Sequence, residues 1–220
     1  MLTFQKRHTL PSDAREIILV RHGSSDASKA EKSTFDNRVL ADSPLMPQGH
    51  EQAQALAERL RHEPISRIFI TQLKRTRQTA APLASLLGID PIVVAELREA
   101  HLGDYEHDFP ARSAAGDPLI KRMLVEETWD MIPNAEPVAA FRARVRAGID
   151  SILAQLEPGA VAAAFTHGGT IGEICRQASG CRPMAFIGAE NGSVSRLVVY
   201  GDRRWSVRCF NDVSHLAAPG

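Results

Sequence analysis

Cysteine is scarce in this chain: three residues in 220, Cys175, Cys181 and Cys209, with no Cys-x-x-Cys pair. An odd number without paired spacing argues against a disulfide framework or a zinc site and fits a reduced, intracellular setting. Long apolar runs are missing too. No stretch reaches the roughly 18 residues of a membrane-spanning helix. The opening MLTFQKRHTLPSDARE carries charges and a proline where a signal peptide would have an apolar centre. A cytoplasmic location is expected. Charge of either sign is not in excess, because 26 Lys and Arg face 26 Asp and Glu. A general nucleic-acid binder needs a basic surplus to displace counterions, so neither nucleic acid nor membrane is expected as a partner. Aromatic residues make up 5% of the chain, and no segment reads as a docking site for a phosphoprotein.

What is present suits a folded enzyme. Hydrophobic residues form 44% and charged residues 24% of the chain, enough for a core without disulfides or structural metal. Residues 1–15 read as a polar tail and 16–216 as a single domain, with a loop-rich cap segment around 96–137. Ile17-Ile18-Leu19-Val20 is a short continuous apolar run, the pattern of a strand buried on both faces. Similar runs are expected as strands at 65–70, 92–94 and 161–165, with a closing hairpin from Val194–Tyr200 and Trp205–Cys209. Helical spacing predicts helices over 48–61, 73–87 (ended by Gly88), 119–127, 137–156 and 170–179. Residues 24–47 read as one long loop, a length that is uncommon unless functional. Strands alternating with helices predict an α/β fold, three layers with a mainly parallel central sheet. Ligands of such sheets sit beyond the carboxyl ends of the strands.

That rule brings distant residues together. His22 and His167 each follow a strand and each precede glycine, in Arg21-His22-Gly23 and Thr166-His167-Gly168-Gly169. Glycine lets an oxyanion approach the backbone, and helix amides after His167 can bind one. Arg21 and Arg75 supply planar, permanently charged forks suited to phosphate. Taken singly, each histidine is as readily a strand-end cap, and Glu99 a solvated loop residue. Lys74 and Arg77 read as a solvated helix face, Arg203-Arg204 as a solvated hairpin edge, and His8, His50, His62 and His101 as surface or structural. Trp129 and Phe109 fall over the expected pocket, where cap packing is their commoner role.

Together these segments resemble the histidine phosphatase superfamily, the phosphoglycerate mutase-like branch 1. The resemblance is carried in order by Leu19-Val20-Arg21-His22-Gly23, Pro44-Leu45-Met46-Pro47-Gln48-Gly49, Leu73-Lys74-Arg75 with Gln78-Thr79-Ala80, and Leu97-Arg98-Glu99 with Gly103 and Tyr105-Glu106. Thr166-His167-Gly168-Gly169, Asn191-Gly192-Ser193, Asn211-Asp212 and His215-Leu216 complete it. The resemblance implies a phosphoglycerate mutase-like fold, catalytic roles for His22, Glu99, Arg21, Arg75 and His167, and no metal or other cofactor. His22 would be the nucleophile and form a phosphohistidine. Arg21, Arg75 and His167 would clamp the phosphoryl oxygens, with the Gly168 amide and Ser24 as further substrate contacts. Glu99 would act as the general acid. Neutral His22 and protonated His167 in one pocket would give a bell-shaped pH profile.

Departures bear on the substrate. Ser24-Ser25-Asp26 follows Gly23 where Glu or Gln is frequent, Thr71 replaces a usual serine, Tyr105 a frequent tryptophan and His107 a frequent glycine. The stretch from Glu99 to His167 is shorter than in the mutases. Hydrolysis of a small phosphate monoester is therefore expected. Mutase-type transfer and a catalytically silent phospho-ligand-binding module are the alternatives. A homodimer through an edge strand or helix face is compatible with the pattern.

Overall fold

The computed structural model describes residues 10–35 and 38–216. Residues 1–9, most of the expected tail and including His8, lie outside the described residues. Strand β1 begins at Arg15, and Ala14 before it is already buried.

One six-stranded sheet organises the chain. It is built from β1 (Arg15–Arg21), β4 (Ile65–Ile70), β5 (Ile92–Val93), β6 (Val161–Thr166), β7 (Val194–Val199) and β8 (Trp205–Asp212), in the order β5-β4-β6-β1-β7-β8. The strands β5, β4, β6 and β1 run parallel, while β7 and β8 form an antiparallel edge against β1. The sheet is mainly parallel, as the alternation of strands and helices predicts.

Side-chain alternation along β1 separates the two faces. Ile17 and Leu19 pack with Phe141, Val145, Ile149 and Ile152 of α5 (Val138–Leu153) and with Ile171 and Ile174 of α6 (Gly168–Ser179). Ile18 and Val20 pack with Leu56, Ala57 and Leu60 of α1 (Pro47–Leu60) and Ala80 and Leu83 of α2 (Lys74–Leu87). Three layers result. Helix α2 ends where expected, at Gly88 with φ 65°.

The expected long loop over 24–47 is corrected. It holds a two-stranded antiparallel hairpin, β2 (Glu31–Phe35) and β3 (Arg38–Asp42). The strands are short and only one side of β3 is apolar inward: Leu40 is buried while Val39 is exposed. The cap has its own small core of Tyr105, Ile120, Met123 and Ile132. It contains α4 (Pro118–Glu126), which was expected, and α3 (Phe109–Ala114), which was not. Among the described residues, no helix is long and apolar enough to cross a membrane.

Candidate active site

Strands β1 and β6 are parallel neighbours, with Arg21 directly opposite Thr166. The next residue of each segment is a histidine. Both emerge at the same sheet edge, and the rings of His22 and His167 stand 5.2 Å apart, edge to face at 62°. Strand β4 flanks β6 with Ile70 opposite Phe165, so Thr71 leaves the same edge and Arg75 follows in the first turn of α2. The elements thus gather residues from three separate parts of the sequence.

The His22 ring is oriented by its own chain. Its Nδ1 lies 2.8 Å from the Gly23 carbonyl, which can only accept, so Nδ1 carries the proton and Nε2 keeps its lone pair. Behind it, the Gly23 amide donates to Thr79 Oγ1 (3.0 Å) and Asn191 Nδ2 donates to the His22 carbonyl (2.9 Å). A side chain at Gly23 would put Cβ 2.6 Å from the Gly49 carbonyl oxygen, which is why the turn and the start of α1 can cross there. Burial first, then the Arg75 guanidinium, hold the His22 imidazole well below its ordinary value, and the same two causes act on His167. In the free site these causes favour the neutral form of both rings, against the expectation of a protonated His167.

His167 Nε2 is 3.0 Å from Thr71 Oγ1. Thr76 Oγ1 spends its proton on the Thr71 or Leu73 carbonyl (3.1 and 2.9 Å). When the Thr71 hydroxyl donates to Nε2, the ring proton sits on Nδ1, a buried atom without a protein partner. Arg21 Nε is likewise buried without a partner, while its Nη1 donates to the Ala189 carbonyl. Buried donors without partners are rare in folded proteins, and these two could both serve a bound anion. Arg75 is anchored by Nη1 to the Ala41 carbonyl of the hairpin (2.9 Å), and Asp42 accepts from the Lys74 amide (2.7 Å) at the start of α2.

Glu99 lies across the start of α6. Its carboxylate accepts from the Gly169 amide (2.9 Å) and the Ala100 amide (3.0 Å). A Cβ at Gly169 would fall 2.6 Å from Glu99 Oε1, so the acid fits only because residue 169 has no side chain. Its loop is pinned carbonyl by carbonyl. Arg144 donates to Glu96, Arg98 and Glu99 (2.6, 2.7 and 2.9 Å), Thr166 to Leu97 (2.6 Å) and Thr170 to Arg98 (2.9 Å). Arg144 also holds both carboxylate oxygens of buried Glu136 at 2.6 Å. Burial pushes the Glu136 carboxyl up, but the hydrogen bonds and charge of Arg144, the charge of Arg98 and the His101 amide together outweigh it and the net shift is downward. Sequence reasoning gave no role to Arg144, Glu136 or Asp42, and Thr79 entered it only within the Gln78-Thr79-Ala80 motif. Nothing in the spacing of Arg144 distinguishes a loop clamp from an ordinary helix charge.

Other expectations sort as follows. The Gly169 amide is taken by Glu99; Gly168 lines the cavity beside Arg21 and Glu99. The Ser24 hydroxyl faces the Met46 sulfur (3.7 Å) and its amide is held by Gln52 (2.8 Å), so the structure does not bring that hydroxyl to the histidines. Arg77 is exposed and Lys74 pairs with Glu31 (2.7 Å). His101 is structural: Nε2 donates to the Val39 carbonyl (3.2 Å) and Nδ1 accepts from the Gly103 amide (3.1 Å). Trp129 and Phe109 both line the cavity next to Glu99 and pack in the cap. Burial pushes the Cys175 thiol up to about 12, which removes it as a nucleophile. Among the described residues, no group of three or more His, Cys, Asp or Glu side chains could hold a metal ion.

Comparison with known proteins shows the family and the fold. The family model described as histidine phosphatase superfamily (branch 1) matches residues 17–213. A protein of Citrobacter koseri named "Probable phosphoglycerate mutase GpmB" is 32% identical over 212 residues, spanning 93% of this chain and 96% of that one. A mycobacterial glucosyl-3-phosphoglycerate phosphatase, solved with VO3, superposes with a TM-score of 0.74 at 26% identity, covering 90% of this chain and 99% of the other. YhfR from Bacillus stearothermophilus has the same fold, with a TM-score of 0.77 at 22% identity over 92% of this chain and all (100%) of that one.

Proposed function

The chain belongs to the histidine phosphatase superfamily, branch 1, and from that membership we propose that it is a phosphohydrolase acting on a small phosphate monoester through a phosphohistidine. The observation that carries the reading is the His22 ring, whose Nδ1–H is tied to the Gly23 carbonyl at 2.8 Å and whose Nε2 is left as a nucleophile beside two arginines. In the first step a bond forms from His22 Nε2 to phosphorus and the ester P–O bond breaks. Glu99, as general acid, delivers the proton to the leaving oxygen. In the second step a water oxygen attacks phosphorus, the N–P bond breaks, and the Glu99 carboxylate takes the water proton. Phosphoryl transfer asks the protein for positioning and charge neutralisation above all. Arg21, Arg75 and the Nδ1–H of His167 supply both, with the Gly168 amide as a further donor.

The test is phosphate release from para-nitrophenyl phosphate, with rapid-quench trapping of label. Wild type should yield acid-labile, alkali-stable label on His22, and His22→Ala should yield neither label nor turnover. Label on serine or cysteine, or equal inertness of both proteins across pH 5–9, would overturn the proposal; the latter would favour a silent phospho-ligand-binding module.

Mutase-type transfer is the second reading, favoured by the names of the sequence relatives. Against it, Arg176, a cationic side chain that reaches the cavity, is held by Glu173 at 2.7 Å rather than standing ready for a substrate carboxylate, while Arg142 lies 3.8 Å from the same carboxylate. Incubation with 3-phosphoglycerate, with and without a bisphosphate primer, separates the two. Primer-dependent isomerisation without phosphate release would establish the mutase.

A further inference from the structure

A cavity of about 410 Å³ opens directly from the reacting groups. Arg21, Glu99, Gly168 and Gly169 form its polar boundary at the reacting end, and Glu127, Arg142, Glu173 and Arg176 add charged groups to the rest of the lining. In the reading above Arg21 and the Gly168 amide hold phosphoryl oxygens and Glu99 protonates the leaving oxygen, so the organic part of the ester is directed into this space. Its remaining wall is mostly apolar: Phe109, Met123, Trp129, Met184, Phe186 and Ile187. Most polar atoms nearby are spoken for, Arg142 Nε excepted, which lies 3.8 Å from Glu173 without a hydrogen bond. Trp129 Nε1 donates to the Glu136 carbonyl (2.7 Å), the Glu127 carboxylate pairs with Arg182, and Glu173 takes two nitrogens of Arg176 (2.7 and 2.8 Å). A sugar acid or nucleoside buried there would lose water from its hydroxyls and gain few partners. An alkyl or aryl group would gain from burial.

We infer that the substrate is a phosphomonoester of an apolar alcohol or phenol, whose leaving group is received by the Phe109–Trp129–Ile187 cavity. The inference rests on the phosphohydrolase reading of the same site. Two features of the wall fit it. Methionines at 123 and 184 adapt to ligands of differing shape. Ile187, 58% exposed, places an apolar side chain at the lip where it does nothing for the folded core.

The experiment is a series of methyl, butyl, hexyl and octyl phosphates, with 2-naphthyl phosphate and 3-phosphoglycerate added, followed by phosphate release. Wild-type kcat/KM should rise about two- to fourfold per methylene until the cavity is filled, and 2-naphthyl phosphate should exceed 3-phosphoglycerate by at least tenfold. Ile187→Asp and Met184→Lys should flatten the dependence on chain length. The first lies at an exposed position and leaves the fold undisturbed, so a flattened slope there cannot be blamed on unfolding. Hydrolysis with a flat slope in the wild type, a slope unchanged in both variants, or preference for 3-phosphoglycerate overturns the inference and leaves the phosphohydrolase standing. Failure to hydrolyse any ester overturns both.

Discussion

Both active-site imidazoles are buried against arginine, and this has a measurable sign. An unfolded histidine takes up a proton near pH 6.5, whereas burial and Arg75 hold His22 and His167 well below that in the folded protein. Between those values the unfolded chain binds more protons, so stability is complete above about pH 6.5 and is lost as pH falls toward the folded values. Urea midpoints should fall between pH 7.5 and 5, and a His22→Gln, His167→Gln variant should show a shallower decline. An equal decline would mean that other groups carry the effect. Arg75 is a different case, since in the proposed reaction it would act on charge that develops at the phosphoryl group. Arg75→Ala should lower kcat/KM on the order of 10²–10³-fold. Gly169→Ala sets helix preference against chemistry. Alanine favours the helix by roughly 1 kcal/mol over glycine, yet its Cβ would collide with Glu99 Oε1 at 2.6 Å. The melting temperature should hold or rise while kcat falls at least tenfold; unchanged kcat would mean that the Glu99 carboxyl need not rest there.

At the scale of elements, the acid loop and the hairpin act as braces. Arg144 on α5 gathers three loop carbonyls and a buried carboxylate, so Arg144→Lys should let Glu99 drift. A displacement of about 1 Å can cost on the order of 10² in rate. The loss should be larger for an alkyl phosphate than for para-nitrophenyl phosphate, whose leaving group needs less help from an acid. A uniform loss would indicate general destabilisation instead. The hairpin residue Asp42, buried against the first amide of α2, serves as an N-terminal cap supplied from another segment. Asp42→Ala should cost about 1 kcal/mol, read as a lower urea midpoint. These braces were the illegible part of the sequence. Strands such as Ile17–Val20 and helices such as Val138–Leu153 announce themselves by apolar period, and the histidines by the glycines after them. A hairpin made of Glu31-Lys32-Ser33-Thr34 has no such period, and an arginine that clamps a loop looks in sequence like one on a solvated face.

Over the whole molecule, the layered α/β plan was legible because buried parallel strands need continuous apolar runs and their helices need one apolar face. The cavity inferred to receive the leaving group was not, since its wall is assembled from the cap, α5, α6 and the segment 183–189, none of which carries a repeat. What joins the scales is the pairing of β1 with β6, Arg21 against Thr166. Strand side chains alternate between faces, so slipping one strand by a single residue would send an imidazole to the wrong layer. Helical content would survive such a slip; turnover would not. Catalytic recovery after dilution from denaturant is thereby a gauge of alignment within the sheet, and it should trail the return of far-ultraviolet ellipticity.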